Sequence, residues 1–520
     1  MRAKSVISHC EQVEHKKDIK SFCVFRAAYM ALVLIALLST VVIPARALKI
    51  VVGSKKFTES YVLSDIAKKL IENEGIIVDH KQGMGGTVIL WQALRTGSIM
   101  LYPEYTGTIS EEILKSKAHM SPDEMRAALA KEGIGMTGEL GFNNTYALVM
   151  TEEKAKRLGI RTLSDLKNHP ELRAGPTPEF LGRKDGWKPM CERYGLTFND
   201  VRGIEHGLGY AALKSDQIDL KECYSTDAKI ADNHLVVLQD DKGFFPQYKA
   251  LFLYRLDTPA KAIAALRKME GTLDEKRMTA LNAEAEKTKN YELAAASYFG
   301  KAERAAAVKN VESVGSSVWR YTREHLILVG VSLLTAILIG IPLGILAGKP
   351  GPLSQLVLGG TGLIQTVPQL ALLALLIPLL GIGTRVSVIA LFLYSLLPIV
   401  RNTATGLQDI PRPFKEAAAA LGLEPRAQLT KVFLPMAART ILAGIKTSAV
   451  INVGAATLAG LVGGGGYGEP IQSGLQLNDN ATILQGAIPA AILALVVQFG
   501  FDLLDKILIP RGLRLPAKDD

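Results

Sequence analysis

The chain has 520 residues and a formal net charge of +10, and this length leaves room for more than one domain. Charged residues make up 21% of the sequence, but they become sparse after about residue 320, where long apolar runs broken by glycine and proline begin. The basic excess lies mostly in an N-terminal leader and in the loops between those runs. The positive-inside rule expects this of a membrane protein, so the charge does not indicate a nucleic-acid partner.

The sequence contains no pattern that predicts an enzyme. It has no GxxxxGK[ST] motif for ATP phosphates, no Ser/His/Asp order, no HExxH motif and no paired-carboxylate motif. Its four cysteines form no CxxC motif or Cys/His cluster, so we expect neither a metal nor another cofactor. Cys191 and Cys223 either form a disulfide bond or stay two free thiols.

Residues 1–47 have the features of a signal peptide or a signal anchor. A basic stretch precedes the apolar run AAYMALVLIALLSTVVIPA, which leads into Ala45-Arg46-Ala47. This small-residue sequence has the form of a signal-peptidase site. We therefore expect the following residues to be exported, and cleavage after Ala47 if the leader is removed.

Residues 48–309 alternate short strands and helices. LKIVVG, IIVDH and IMLYP are predicted strands, a helix capped by Thr58 follows the first of them, and a second helix spans Thr87–Arg95. This alternation favours a parallel sheet, and the length suits two α/β lobes. FNNTYALVM and FFPQYKALFLY are predicted to be the two crossovers that join the lobes as a hinge.

Residues 323–515 are predicted to form a membrane domain, joined to the lobes by a helical linker over 310–322. Five apolar segments can cross a bilayer, the third being short: His325–Gly348, Gln355–Leu380, Val386–Val400, Thr440–Val462 and Ile483–Ile509. Nine Lys and Arg residues would share one side of the membrane, against Arg385 alone on the other. The basic side is cytoplasmic, which puts the lobes outside. We expect the inner membrane of a bacterium.

Polar residues interrupt the second apolar segment. Pro368 is expected to kink it, and Gln365 and Gln369 stand beside the kink. Polar groups at this depth either line a transport pathway or make hydrogen bonds between helices, and the sequence does not separate these alternatives.

Tyrosines are concentrated in the α/β part, which holds eleven of the fifteen in the chain. Five of them are in loops that follow predicted strands, where α/β folds bind ligands: Tyr102, Tyr105, Tyr146, Tyr210 and Tyr224. Aromatic faces suit a quaternary ammonium group, which has no N–H to donate, and Asp227 would add negative charge. The alternative is that each tyrosine is an ordinary packing residue.

A spaced motif lies within a predicted cytoplasmic loop over 409–437: it consists of Glu416-Ala417-Ala418, Gly422 and, further on, Leu434-Pro435. Helix-forming residues precede Gly422 and Pro425 follows it, which predicts two short helices at an angle. The motif resembles the coupling loop of ABC importer permeases, with Val432 in place of the usual isoleucine. The resemblance implies that cytoplasmic ATPase subunits dock on the residues of the motif: Glu416, Ala417, Ala418, Gly422, Leu434 and Pro435.

Two sets of motifs occur after the leader. The α/β part contains GSKKFTES, YPEYTGT, FNNTYAL, EFLGRKDG, CYSTDAKI and DDKGFFPQY, and residues 325–509 contain QTVPQLALLALLIPLLGIGT and LFLYSLLPIVRNT. The first set resembles the binding proteins, and the second set resembles the permease subunits, of the transport systems for glycine betaine, choline and carnitine. The resemblance implies an α/β two-lobed periplasmic-binding-protein fold, type II-like, fused to an all-α transmembrane ABC permease domain.

The resemblance also implies site residues. Tyr105, Tyr146 and Tyr224 would line an aromatic box, with Tyr210 and Tyr102 as further candidates. Other expected contacts of the cleft are Ser54, Lys55, Thr58, Thr108, Thr226 and Asp227. Lys55 favours a solute with a carboxylate beside its ammonium group, which means glycine betaine or carnitine rather than bare choline.

The sequence therefore predicts the fused binding and permease subunit of an ABC importer for small quaternary-ammonium osmoprotectants. Five spans are too few for a whole pathway, so we expect a homodimer that works with two separate ATPase subunits. Two alternatives stay open. One is an importer for another small zwitterion or an amino acid, and the other is a ligand-gated channel or receptor that uses the same two-lobed domain.

Overall fold

The computed structural model describes residues 49–116, 120–309, 313–477 and 479–508. The predicted leader over 1–47 lies outside these ranges. So do residues 310–312 of the predicted linker and two of the basic residues at the C-terminus, Arg511 and Arg514.

The first lobe is built on a mixed five-stranded sheet with the order β2-β1-β3-β10-β4. Its strands are β1 Lys49–Gly53, β2 Ile77–Lys81, β3 Leu101–Tyr105, β4 Ile134–Met136 and β10 Ala250–Arg255. β1 and β3 are parallel, as predicted, but β10 runs antiparallel to both β3 and β4. The expectation of a parallel sheet is wrong for β10 because this strand returns from the second lobe rather than following a crossover helix.

The helices of the first lobe pack against this sheet. They are α1 Thr58–Glu72, α2 Thr87–Arg95, α3 Thr106–Thr108, which continues as a π-helix over Ile109–Ile113, and α4 Pro122–Lys131. The predicted cap at Thr58 is wrong, because Thr58 is already the first helical residue and the extended Phe57 precedes it. The turn before α1 is held instead by Ser60, whose hydroxyl accepts a hydrogen bond of 2.8 Å from the Lys55 amide.

The second lobe has a three-stranded antiparallel sheet with the order β8-β5-β9 and a parallel pair, β6 and β7. The strands are β5 Tyr146–Thr151, β6 Arg173–Ala174, β7 Asp200–Val201, β8 Lys221–Tyr224 and β9 Leu235–Leu238. The helices are α5 Glu152–Leu158, a 3-10 turn over Ser164–Asn168, α6 Pro178–Gly182, α7 Trp187–Tyr194, α8 His206–Lys214 and α9 Lys229–Asp232. Cys191 and Cys223 lie in this lobe as free thiols.

Two segments cross between the lobes side by side, as the sequence predicts. The Asn144 amide donates to the Tyr248 carbonyl at 3.0 Å, and the Ala250 amide donates to the Phe142 carbonyl at 3.2 Å. Because both chain connections run together, the lobes share one hinge.

Four further helices complete the soluble part: α10 Ala260–Arg267, α11 Glu275–Thr288, α12 Tyr291–Tyr298 and α13 Lys301–Lys309. α10, α11 and α12 pack on α1 of the first lobe. Their apolar residues join the largest buried cluster of the described part of the chain, which also contains residues of both sheets.

The remaining described residues are almost entirely helical. The helices are α14 Val314–Ala347, α15 Pro352–Thr366, α16 Gln369–Leu380, α17 Thr384–Gln408, α18 Arg412–Ala420, α19 Pro425–Gln428, α20 Leu434–Ala455, α21 Gly468–Leu477 and α22 Asn480–Leu508. Four helical stretches of the described residues are long and apolar enough to cross a membrane, or five if the bent pair α15–α16 counts as one span.

These helices refine the five predicted spans. α15 and α16 meet at 99°, with the break at Val367 and Pro368. The third span is longer than expected because its helix continues past Arg401 to Gln408. The fourth candidate stretch begins at Pro425 rather than near Thr440. α17 lies between α14 and α20, and a Cβ built on Gly344 would lie only 2.4 Å from Thr403, so small residues permit this close packing.

Candidate functional site

Aromatic rings from both lobes meet at the cleft. We call Phe57, Tyr105, Tyr146, Phe180, Tyr224, Phe245 and Tyr248 the aromatic cluster. Phe57 of the first lobe lies 4.9 Å from Tyr224 of the second between ring centroids, and 6.3 Å from Tyr105. Tyr146 lies 5.3 Å from Tyr224 and 4.8 Å from Phe180, and it meets the edge of Tyr248 at 5.4 Å. The rings therefore form one continuous surface across the hinge.

Strand ends place three of these rings. Tyr105 is the last residue of β3, Tyr146 the first of β5 and Tyr224 the last of β8. Tyr146 and Tyr224 are direct cross-strand partners in the antiparallel register of β5 and β8. Side chains that are paired in this way lie within contact distance on one face of a sheet, which explains why the two rings meet.

Two buried cations flank the aromatic cluster. The Lys55 ammonium lies 5.5 Å from the centroid of Tyr105 and donates to Glu104 at 2.5 Å. The Arg183 guanidinium lies 5.3 Å from the centroid of Tyr146 and makes two hydrogen bonds to Asp185, at 2.7 and 2.5 Å. The cations thus contact different rings of the cluster, and each has a carboxylate partner.

Thr108 and Tyr248 hold the Arg183–Asp185 pair in place. The Thr108 hydroxyl accepts from the Arg183 guanidinium at 3.4 Å, and the Tyr248 hydroxyl donates to Asp185 at 2.6 Å. Thr108 belongs to the first lobe and Arg183 to the second, so this small network also crosses the cleft.

Glu59 is a buried carboxylate that ties the lobes together. Its Oε1 accepts from the Tyr105 hydroxyl at 2.6 Å and from the Asn144 amide at 2.8 Å. Its Oε2 accepts from the Thr226 hydroxyl at 2.5 Å and from the Asn282 amide at 3.3 Å. Burial raises the pKa of Glu59 to about 7, although the four hydrogen bonds lower it.

Asp227 supports the second lobe from behind the aromatic cluster. It accepts from the Tyr210 hydroxyl at 2.5 Å and from the Tyr224 amide at 3.0 Å, and it lies 2.9 Å from His206. Burial raises the pKa of Asp227, but the charge and hydrogen bond of His206 and the other two donors lower it to about 2. The His206 ring stacks on the Tyr224 ring at 4.8 Å between centroids. Asp227 therefore supports the Tyr224 ring through His206.

The structure does not bring every predicted residue to the cluster. Tyr102 is fully buried among aliphatic side chains on the opposite face of β3. Tyr210 packs in the core of the second lobe, with Lys221 over its ring at 4.7 Å. Ser54 lies 2.8 Å from His80, which in turn lies 2.6 Å from Asp65, so its hydroxyl takes part in a buried polar chain.

Thr58 and Thr226, two further predicted residues, are not part of the aromatic cluster. Thr58 is half-buried at the start of α1. Thr226 is buried and donates to Glu59, as described above.

Sequence reasoning missed six residues of this site: Phe57, Glu59, Phe180, Arg183, Phe245 and Tyr248. All six lie inside the motifs GSKKFTES, EFLGRKDG and DDKGFFPQY, which carry the family resemblance. The signal was therefore present, but composition gave no reason to choose an arginine or a phenylalanine from these motifs before their neighbours were known.

The membrane part places its candidate residues in two locations. Gln365 and Gln369 are half-buried on either side of the α15–α16 break, where Pro368 precedes α16. In the predicted coupling loop, α18 ends before Gly422, whose φ of 67° turns the chain, and α19 starts at Pro425. The first short helix and the turn are as predicted, but the second helix is not short, because the helical stretch that begins at Pro425 continues to Val462.

We call residues 409–437 the elbow, and several of its side chains are exposed to solvent. Glu416 and Ala417 are exposed, and Ala418 is the buried residue of α18. Leu421 is 77% exposed and Phe414 is 52% exposed. Leu434 and Pro435 lie at the start of α20. Exposed large apolar side chains next to charges are typical of a docking surface.

Comparisons with known protein families identify two parts of the chain. A family described as the substrate binding domain of ABC-type glycine betaine transport systems matches residues 49–302. A second family, the binding-protein-dependent transport system inner membrane component, matches residues 340–513. These matches confirm the two-lobed binding fold and the permease fold.

Curated relatives and a solved structure match the same parts. The choline transport system permease protein OpuBB of Bacillus subtilis (strain 168) is 37% identical over 207 residues, which are 40% of this chain and 95% of that protein. The ergothioneine transport permease/ergothioneine binding protein EgtU of Helicobacter pylori (strain G27) is 34% identical over 245 residues, 46% of this chain and 44% of that protein. A crystal structure of a glycine betaine/carnitine/choline ABC transporter is 30% identical, with a TM-score of 0.40, and covers 47% of this chain and 96% of that one.

The chain is thus similar to dedicated permeases over nearly their whole length, and its preceding residues match a substrate-binding domain. It contains helices that are long and apolar enough to span a membrane. The chain belongs to the osmoprotectant family of ABC importers, as an integral membrane transport subunit in which the substrate-binding domain and the permease domain are one polypeptide.

Proposed function

We propose that this importer subunit carries a small zwitterion with both a quaternary ammonium group and a carboxylate, such as glycine betaine or carnitine. The observation that supports this most is the aromatic cluster with two buried cations against its rings, Lys55 at Tyr105 and Arg183 at Tyr146. Tyr105, Tyr146 and Tyr224 offer faces to a trimethylammonium group. Lys55 and Arg183 are the groups that would pair with a carboxylate.

Bare choline fits this arrangement less well, because it has no carboxylate that could pair with Lys55 or Arg183. The names of the relatives span choline, carnitine, glycine betaine and ergothioneine. We therefore keep other trimethylammonium carboxylates, ergothioneine included, within the proposed class.

Further site residues follow from the geometry. Thr108 would hold Arg183, Glu59 and Thr226 would hold the lobes closed, and Asp227 would hold the Tyr224 backbone and the His206 ring that stacks on Tyr224. Ser54 and Thr58 lie in and after the loop that carries Lys55. We propose Tyr210 and Tyr102 as supporting core residues rather than ligand contacts.

We also propose the assembly that the family implies. Two ATPase subunits would dock on the elbows over 409–437 of a permease homodimer, and the Gln365–Gln369 break would line the pathway. The basic loops would face the cytoplasm, and the lobes would lie outside the inner membrane of a bacterium. The predicted linker over 310–322 would join the two domains.

Calorimetric titration of the purified full chain in lipid nanodiscs tests the solute. Glycine betaine, carnitine, ergothioneine, choline and proline are titrated separately. We expect a carboxylate-bearing trimethylammonium compound to bind at least about tenfold more tightly than choline. Tight binding of choline alone, or of proline alone, would overturn the proposed solute class and leave the importer family unchanged.

A further inference from the structure

Helix α21 of the permease domain lies against both lobes of the binding domain. It contacts the loop after β2 in the first lobe and the first turn of α8 in the second. Its last residue, Leu477, is 1% exposed and belongs to the core cluster of the lobes. A membrane-domain helix therefore completes part of the core of the binding domain.

The contact with the first lobe runs through Gln472. This buried amide donates a hydrogen bond to the Gly83 carbonyl. The Gly83 amide in turn donates to the Ser54 hydroxyl at 3.3 Å. Gln472 thus holds the loop that leads from β2 to α2, at the cleft side of the first lobe.

The contact with the second lobe is made by the C-terminal carbonyls of α21. A Cβ built on Gly207 would lie 2.7 Å from the carbonyl oxygens of both Leu475 and Gln476, so only glycine permits this approach. Lys229 donates to the Gln476 carbonyl at 3.3 Å. Gly207 follows His206, the residue that stacks on Tyr224 of the aromatic cluster.

A third contact comes from α11 and the residue after it. Lys289 donates to the Leu477 carbonyl at 2.8 Å. Lys229 and Lys289 together satisfy carbonyls that the end of a helix leaves without partners, and their charges stabilise the negative end of the helix dipole. The end of α21 is therefore bound by the lobes as closely as it would be within one domain.

The lobes are closed in this arrangement. Besides the aromatic cluster, Glu179 of the second lobe accepts from the Thr87 amide of the first at 3.3 Å and from its hydroxyl at 3.2 Å. Opening about the shared hinge would separate Gly83 from Gly207. Helix α21 cannot keep its contacts with both when they move apart.

We propose that α21 is a clamp through which the permease domain stabilises the closed lobes, so that displacement of this helix promotes opening and release of the solute. Docking on α21 and closure of the lobes are then coupled, and each stabilises the other. This proposal concerns how the permease domain controls the cleft, and it holds whichever solute the cleft binds.

Hydrogen–deuterium exchange of the full chain in nanodiscs, without solute, tests the clamp. In Gly207→Ala the added Cβ would meet the C-terminal carbonyls of α21 and push this helix away from the second lobe. We expect the substitution to raise the exchange rate over residues 82–87 of the first lobe roughly three- to tenfold. This is the change expected when the closed lobes lose the stabilisation of about one hydrogen bond. Gly203→Ala is the matched control, since its Cβ would meet only side chains and backbone at 3.4 Å or more.

The reverse experiment uses the first-lobe contact. Gln472→Ala should raise exchange over residues 205–214 of the second lobe to a similar extent. It decides the question if Gly207→Ala does not fold. Exchange that rises only beside the substituted residue, with the opposite lobe at wild-type rates, would overturn the proposal.

Discussion

Charged residues have different surroundings in the two domains. In the binding lobes, Lys55, Glu59 and Arg183 are buried, and each has partners at hydrogen-bond distance. In the coupling elbow, Glu416 and Arg426 are exposed to solvent. The first group has its hydrogen-bond partners within the lobes, whereas the second group is accessible to another chain.

This difference determines what a substitution should do. Removing one partner of a buried pair leaves a charge without compensation, so it costs stability as well as binding. Removing an exposed residue of the elbow leaves the fold intact and acts only through the partner. The expected changes in the stability of the lobes therefore range from several kcal/mol to none.

The largest effect is expected for Arg183→Ala. It leaves Asp185 buried without its cation, which should lower the free energy of unfolding of the lobes by about 3–5 kcal/mol. Urea unfolding of the full chain in detergent, followed by tryptophan fluorescence, measures this, because Trp91 and Trp187 both lie in the lobes.

Arg202→Ala is the matched control for that pair. Arg202 makes the same two-bond contact with Asp200, two residues away, but its side chain is 64% exposed. Its loss should cost no more than about 1 kcal/mol. If both variants lose the same free energy of unfolding, burial does not determine how much these ion pairs contribute to stability.

The next largest effect is a pH dependence of the stability of the lobes, which we attribute to Glu59. Because burial raises the pKa of this carboxyl to about 7 in the folded lobes, it binds a proton there that the unfolded chain releases near its ordinary pKa of 4.5. Its contribution to stability is present at low pH and is lost as the pH rises toward about 7. The loss amounts to at most about 3 kcal/mol.

Glu59→Gln should remove this dependence. Urea unfolding between about pH 5 and pH 8 should show a smaller decline in the variant than in the wild type. Burial also raises the pKa of Glu286 to about 7, so the difference between the two curves is the measure, with Glu286→Gln as a control. Parallel curves for wild type and Glu59→Gln would contradict the assignment.

A smaller effect is expected for Tyr224→Leu, which keeps an apolar side chain but removes the aromatic face. Affinity for glycine betaine should fall by about 0.5–2 kcal/mol through the lost cation–π attraction. The neutral-headed analogue 3,3-dimethylbutanoate has the same shape and carboxylate, and its affinity should change little. Titration of both compounds against both proteins measures the difference, and equal losses would exclude a cation–π role for this ring.

The two regions also differ in how much of them the sequence predicted. The elbow is made by neighbours in the chain: helix formers, Gly422 with its positive φ, and Pro425 at the next helix start. Such local determinants can be read directly from the sequence. The hinge was also predicted, because its two strands are apolar runs of clear length.

The aromatic cluster depends on contacts between distant residues. Tyr146 and Tyr224 meet because of the register of β5 and β8, and Tyr102 points away because β3 alternates its faces. Glu59 collects donors from residues as far along the chain as Asn282. No local pattern encodes register or such a network, which is why Glu59 and Arg183 were missed and Tyr102 was misplaced.

A substitution in the elbow should not change the stability of the lobes. Leu421→Asp places a charge where a large apolar side chain is 77% exposed, so the unfolding of the lobes and the affinity for solute should stay at wild-type values. Solute-stimulated ATP hydrolysis should nevertheless be lost when the chain is reconstituted with its ATPase subunits, because a buried apolar contact between subunits would become an unpaired charge. Glu424→Asp, an exposed and charge-conserving change three residues along, should retain hydrolysis. Full activity of Leu421→Asp would mean that the ATPase docks elsewhere on the chain, and the elbow would then be an interfacial loop without a partner.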